Sequence, residues 1–205
     1  MKNTARYILF VIATFLIVGC QNSDNGLTIH EVSGDYEIFQ DVDKLADASE
    51  NIVRARIIDF TVSDDLLMWR EEDDFESELE DTGIDRDILD DQIFIFTIYT
   101  VDILDVYKGD IQVGEQIEFM QLGGQIGNVL FINNDEVEVA LEDDLILFLS
   151  PNDEGPAMLL NPIQTAYHYS HNASKSLNHK FKSVDSENNL ELTSGDLNEI
   201  SDREE

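Results

Sequence analysis

The alternation of apolar and polar positions is the strongest signal in this chain. From Ile52 to Val62 it has the period of a strand: Val53, Ala55 and Ile57 share one face, while Ile52, Arg54, Arg56, Ile58 and Phe60 share the other. A longer run follows from Ile93 to Tyr107, with Ile93, Ile95, Tyr99, Val101 and Ile103 opposed to Phe94, Phe96, Ile98 and Leu104. A strand of that length bends, and a bulge lets it serve two sides of a barrel. Lys108-Gly109-Asp110 predicts a turn and Gln116–Leu122 a returning strand. Val129–Ile132 and Val137–Leu141 read as strands around an Asn133-Asn134-Asp135 turn, and Glu142-Asp143-Asp144 as another turn. Leu145–Leu149 is apolar throughout, as a central strand would be. Met158–Leu160 and Thr165–Tyr169 predict two more strands, parted at Asn161-Pro162. The end of the chain suggests a strand near Leu190–Leu192 and a short helix from about Ser194. Ahead of the first strand, Asp41 is placed to cap a helix running through Glu50, with Leu45 and Ala48 inward.

Many short, closely spaced strands with few helical patterns predict a mainly β fold. The expected architecture is a small antiparallel β-barrel, OB-like, with short flanking helices and an acidic insertion; a β-sandwich is the alternative. The barrel-like domain spans 39–184, and residues 185–205 form an acidic C-terminal tail. Residues 63–92 break the strand pattern with 14 acidic residues against Arg70 and Arg86. Met68, Phe75 and Leu79 could form a thin apolar stripe there if it is helical.

The N-terminus has a different pattern. Lys2 and Arg6 precede an apolar run from Tyr7 to Val18 that only Thr14 interrupts. The run is short of the ~20 residues a membrane-crossing helix needs, and matches the middle of a secretory signal. Ile17-Val18-Gly19-Cys20 resembles the lipobox of bacterial lipoproteins. That resemblance implies a signal peptide over 1–19, cleavage between Gly19 and Cys20, and a diacylglycerol on the Cys20 sulfur, whose two acyl chains would give a stable anchor. Residues 20–38 then read as the lipidated cysteine and a polar tether. Cys20 is the single cysteine, so no intrachain disulfide is possible, and once it carries lipid thiol catalysis is excluded.

Charge narrows the function classes. The chain has 12 basic and 44 acidic residues, a net charge of −32. Loss of Lys2 and Arg6 with the leader leaves 10 against 44, or −34. Such a field repels nucleic acid. It is compatible with solubility in a salty or alkaline exterior, with divalent-cation binding, or with a basic protein or envelope partner.

Catalytic motifs do not emerge. The sequence holds no Gly-x-Ser-x-Gly elbow, P-loop or dinucleotide fingerprint. His168 and His171 would share a helix face and could hold zinc, but on a strand they point apart; His30 and His179 read as surface residues. Asp73-Asp74, Asp90-Asp91 and Glu142-Asp143-Asp144 could hold calcium weakly, without the spacing of a dedicated loop. No catalytic residue, metal ligand or cofactor is assigned. Gly123-Gly124 has two readings: a tight bend between strands, or a loop where a ligand approaches the backbone, with Gln121 and Gln164 as polar contacts.

Four segments in order carry a wider resemblance: Thr97-Ile98-Tyr99-Thr100-Val101 leading to Val106-Tyr107-Lys108-Gly109-Asp110, then Gln121-Leu122-Gly123-Gly124, Leu147-Phe148-Leu149, and Asn161-Pro162-Ile163-Gln164. Over roughly residues 40–200 the chain resembles a family of Gram-positive bacterial lipoproteins and secreted proteins of no assigned activity. It departs from their pattern at Leu141-Glu142-Asp143-Asp144 and at Thr165, where glycine is common. The resemblance implies a β-barrel-like extracellular domain. Together these readings predict a membrane-anchored extracytoplasmic module that binds without catalysis; the alternatives are a metal-assisted hydrolase and a divalent-cation-binding surface protein.

Overall fold

The computed structural model describes residues 26–34, 36–64, 94–150, 155–170 and 176–204. In chain order it contains β1 (Thr28–Val32), α1 (Val42–Ala48), β2 (Asn51–Ser63), β3 (Phe96–Lys108), β4 (Gln116–Leu122), β5 (Gly124–Ile126), β6 (Val129–Asn133), β7 (Asp144–Ser150), β8 (Ala157–Leu159), β9 (Ala166–His168), β10 (Lys182–Ser183) and α2 (Ser194–Glu204).

The fold is mainly β. Strands β7, β2, β3, β4 and β8 are neighbours in that order, and β8 pairs back onto β7. The OB-like expectation is met as a closed five-stranded ring, in place of a two-sheet sandwich, but the ring is not a regular barrel. It is also not wholly antiparallel: β8 runs parallel to β4 and meets it only at Phe119 and Met120. β2 and β3 are 13 residues each, and their ladder shifts register at Ile52/Val53, Arg54/Ala55 and Ile57/Asp59. These irregularities let two long strands curl far enough for the ring to close.

The alternation read from the sequence sorts the side chains correctly. Val53, Ala55 and Ile57 join Tyr99, Val101, Ile103, Phe119, Leu145, Leu147 and Leu149 inside the ring. Ile52, Ile146, Phe148 and Tyr167 face outward into a second core with Phe39, Leu45, Leu197 and Ile200. β7 is buried on both faces, which is why Leu145–Leu149 is apolar throughout. Arg54 lies on the outer face of β2. Its Nε and Nη2 donate to the two oxygens of Asp144 at 2.8 and 2.7 Å, and its guanidinium lies 3.6 Å over the Tyr169 ring. These contacts, with the Asp144 hydrogen bonds foremost, raise the Arg54 pKa further.

Both helices pack on the outer core. Asp41 caps α1 by accepting from the Lys44 N–H at 2.9 Å, a bond that lowers its pKa. The helix stops at Ala48, before the expected Glu50, and buries Leu45 and Ala46; Ala48 is exposed. At about 100° per residue Ala48 lies nearly opposite Ala46, so a helix that turns Leu45 and Ala46 inward leaves Ala48 outside. α2 begins at Ser194 as expected. Leu197 and Ile200 dock it on the outer core, so the end of the predicted acidic tail is part of the packed domain.

Three other expectations change. β1 and the described residues up to Phe39 belong to the fold, so the domain begins ahead of the expected residue 39. β1 pairs in parallel with β6, which with β5 makes a separate three-stranded sheet. Val137–Leu141 is not a strand, and Glu142 beyond it sits at φ 70°. Near Leu190–Leu192 no strand forms; Leu192 accepts from the Phe181 N–H at 2.9 Å and Thr193 makes one bridge to Lys180. The leader expected over 1–19, Cys20, the apolar stripe expected in the acidic insertion and His171 lie outside the described residues. Among the described residues no helix is long and apolar enough to cross a membrane.

Candidate functional site

The four residues proposed as a ligand loop do not form one site. Gln121 is buried at the end of β4. Its amide donates to the Val137 carbonyl at 3.2 Å and accepts from the Val137 N–H at 2.9 Å. Gln164 does the same elsewhere, accepting from the Phe39 N–H at 2.7 Å and donating to the Phe39 carbonyl at 3.0 Å. Each glutamine amide thus takes the place of a strand neighbour for one residue of a distant segment. Asn161 supports Gln164 by accepting from its N–H at 2.6 Å, and binds the Glu37 carbonyl at 3.1 Å. The Thr165 hydroxyl donates to the Asn161 carbonyl. The Asn161-Pro162-Ile163-Gln164 segment is therefore a clasp for the entering chain.

Gly123 and Gly124 are a packed bend. Both have left-handed backbones, φ 136° and 137°. Gly123 donates to the Ile95 carbonyl at 2.8 Å and accepts from the Thr97 hydroxyl at 2.8 Å. A Cβ on Gly124 would lie 2.7 Å from the Val62 side chain, and one on Gly123 would lie 2.8 Å from a Glu136 carboxylate oxygen. The space beside Gly123 is filled from within by Glu136.

That carboxylate shares a hydrogen bond with the Tyr99 hydroxyl. Burial raises the pKa of Glu136 against the stabilising bond from Tyr99, and Glu138 raises it further. Tyr99 stacks on Phe119 at 5.1 Å, and burial followed by the Glu136 charge pushes it up to about 12. The pattern gave no hint of this pair, because Glu136 lies in one of many acidic stretches.

A hollow that can take a ligand lies along the edge of β4. Strand β8 covers β4 only at Phe119 and Met120, so the preceding stretch Gln116–Glu118 has no strand on that side among the described residues. The result is an open groove of about 610 Å3 between β4 and the segment Gly155–Ala157. Ile111, Ile117 and Ala157 line it and also pack against the ring core. Exposed Gln116 and Glu118 stand on its rim, and Gln116 donates to Asp102 at 2.8 Å. Apolar walls with a few amide and carboxylate groups suit binding of an extended ligand. No sequence pattern marks the groove, since it arises from β8 being short.

The described histidines are dispersed. His30 stacks on Phe131 at 5.5 Å, His179 meets Phe181 edge-on at 5.3 Å, and His168 lies on β9 as the strand reading requires. Among the described residues no three His, Cys, Asp or Glu side chains converge as metal ligands.

No protein-family model matches the chain, and neither a curated protein nor a solved structure matches it.

Proposed function

We propose that the chain is a bacterial lipoprotein precursor, cut before Cys20 and held by lipid on the extracytoplasmic face of a membrane, where its ring domain acts as a non-catalytic binding module. The observation that carries the binding role is the groove beside β4. It joins an apolar lining of Ile111, Ile117 and Ala157 to an acidic rim at Glu118. In a chain of net charge −32 that rim favours a basic protein or envelope component. The anchor is supported by the leader pattern and by Gly19-Cys20 at its end.

The test is cross-linking of the protein in native envelopes, with Ala157→Trp as the comparison. This substitution fills the groove and leaves the charge unchanged. A partner held by the wild type and lost by a variant that melts normally supports the module. Equal recovery by both would remove the groove from the proposal, and repeated failure to recover any partner would remove the module itself.

A further inference from the structure

The chain enters the domain at one defined place. The Thr28 N–H donates to the Asn128 carbonyl at 2.8 Å, and the Asn128 side chain reaches the Gly26 carbonyl at 3.5 Å. Asn128 sits at the tip of the β5–β6 hairpin, next to Gly127 at φ 58°. Cys20 precedes Thr28 by eight residues. Eight residues span at most about 28 Å when extended, and roughly 16 Å as a flexible coil. Whatever holds Cys20 therefore holds this hairpin tip close to it.

The tip has unusual chemistry for this chain. From Phe119 to Asn134 there is no Asp, Glu, Lys or Arg, although 27% of the chain is charged. Beside it Leu27 and Ile29 are 47% and 52% exposed. The carboxylates of this small sheet are at its other end. Glu31 lies level with Ile132, and Asp135, two residues beyond Asn133, accepts from the Gly34 N–H. Four residues of strand separate Val129 from Asn133, roughly 13 Å. A bacterial membrane surface rich in anionic lipid repels carboxylates within about a Debye length. The neutral tip with its two apolar side chains is the part of this sheet that such a surface tolerates at close range.

We infer that the hairpin tip, with Leu27, Ile29, Gln125, Ile126 and Asn128, is the face of the domain that rests on the lipid headgroups. The inference depends on the reading of Cys20 as the lipid anchor, and goes beyond it by fixing which way the domain stands.

Two measurements separate the anchor from the orientation. The intact mass of the full chain, expressed in a lipoprotein-processing host, reports on the anchor. Loss of residues 1–19 with a diacylglyceryl group gained is the expected result; an unmodified Cys20 overturns the anchor reading. Amide hydrogen exchange reports on the orientation, comparing the protein on phosphatidylcholine–phosphatidylglycerol vesicles with its C20S variant in solution. If cells leave Cys20 free, its thiol is coupled to a maleimide lipid in the same vesicles, so the orientation is measured in either case. Residues 26–29 and 125–129 should exchange several-fold more slowly on the vesicles, with the turn at 109–114 and α2 unchanged. Unchanged exchange at the tip, or slowing confined to another face, would overturn the inference.

Discussion

The Lys108 ammonium caps α1 from a strand 60 residues away in sequence: Nζ donates to the Ala46 and Ser49 carbonyls, both at 2.8 Å. These carbonyls end a helix whose own last turn contains no basic residue. Lys108 therefore supplies both the missing donors and the positive charge that a helix C-terminus favours. Gly109 completes the arrangement. Its φ is 98°, and a Cβ there would lie 2.0 Å from the Asn51 amide oxygen and 2.9 Å from the Glu50 carbonyl. The Lys-Gly-Asp turn thus joins the end of β3 to the end of α1.

Lys108→Met, which keeps the aliphatic stem, should destabilise the domain by about 1–2 kcal/mol. Gly109→Ala should cost about 1–3 kcal/mol through backbone strain alone. Urea unfolding at neutral pH measures both. If Lys108→Met unfolds at the wild-type midpoint, the cap contributes nothing.

Gln164→Leu keeps most of the side-chain volume and deprives the Phe39 N–H and carbonyl of their partner. Leaving buried polar groups unpaired costs about 1–3 kcal/mol each, so the variant should lose several kcal/mol. The loss should be accompanied by faster amide exchange at Phe39. A variant with normal stability would mean that water replaces the amide without cost.

Asp144→Ala should be more damaging than Asp105→Ala. Asp144 holds Arg54 through two hydrogen bonds, with both side chains 15% exposed, whereas Asp105 meets it at 3.7 Å and is 53% exposed. Breaking a fully buried pair costs about 3–5 kcal/mol; the residual exposure here lowers that to about 2–3 kcal/mol for Asp144. For Asp105 the expected cost is below about 1 kcal/mol. Melting curves of the two variants decide the order.

The Tyr99–Glu136 pair predicts a pH dependence. Burial raises the Glu136 pKa above its unfolded value, so the fold binds this proton more tightly than the unfolded chain does. The associated stability is complete below the unfolded pKa and is lost as pH rises through the folded one. Glu136→Gln keeps a hydrogen-bonding group beside Tyr99 and cannot ionise. It should therefore melt above the wild type at neutral pH, and the gap should close as the solution is acidified below the ordinary carboxylate range. A gap that does not vary with pH would show that Glu136 is not the group responsible.

The ring was legible because its strands alternate and bury one face. Gln116–Leu122 is β4 to the residue, and the faces of β2 and β3 sort as their sequence implies. β1 was hidden because four of its five residues are exposed, so Thr28-Ile29-His30-Glu31-Val32 shows no inward face, and its partner begins a hundred residues later. Val137–Leu141 misled for the opposite reason. It alternates as a strand should, with Val137 buried, but Gln121 takes the Val137 backbone bonds that a neighbouring strand would have used. The same substitution of side chain for backbone made Gln121 and Gln164 resemble ligand contacts. The groove depends on where β8 begins, a start that no periodicity in Gly155-Pro156-Ala157 reveals.

The parallel pairing of β1 with β6 also has a mechanical meaning. Tension applied at the N-terminal end of the chain would reach β1 before any other described element, and β1 forms the edge of a sheet separate from the ring. Unpairing β1 would leave the five-stranded ring closed, because β1 pairs with no strand of that ring. Behind β1, the Gln164 amide holds Phe39 by two hydrogen bonds, so a pull from this end would meet β1 and then the clasp ahead of α1 and β2.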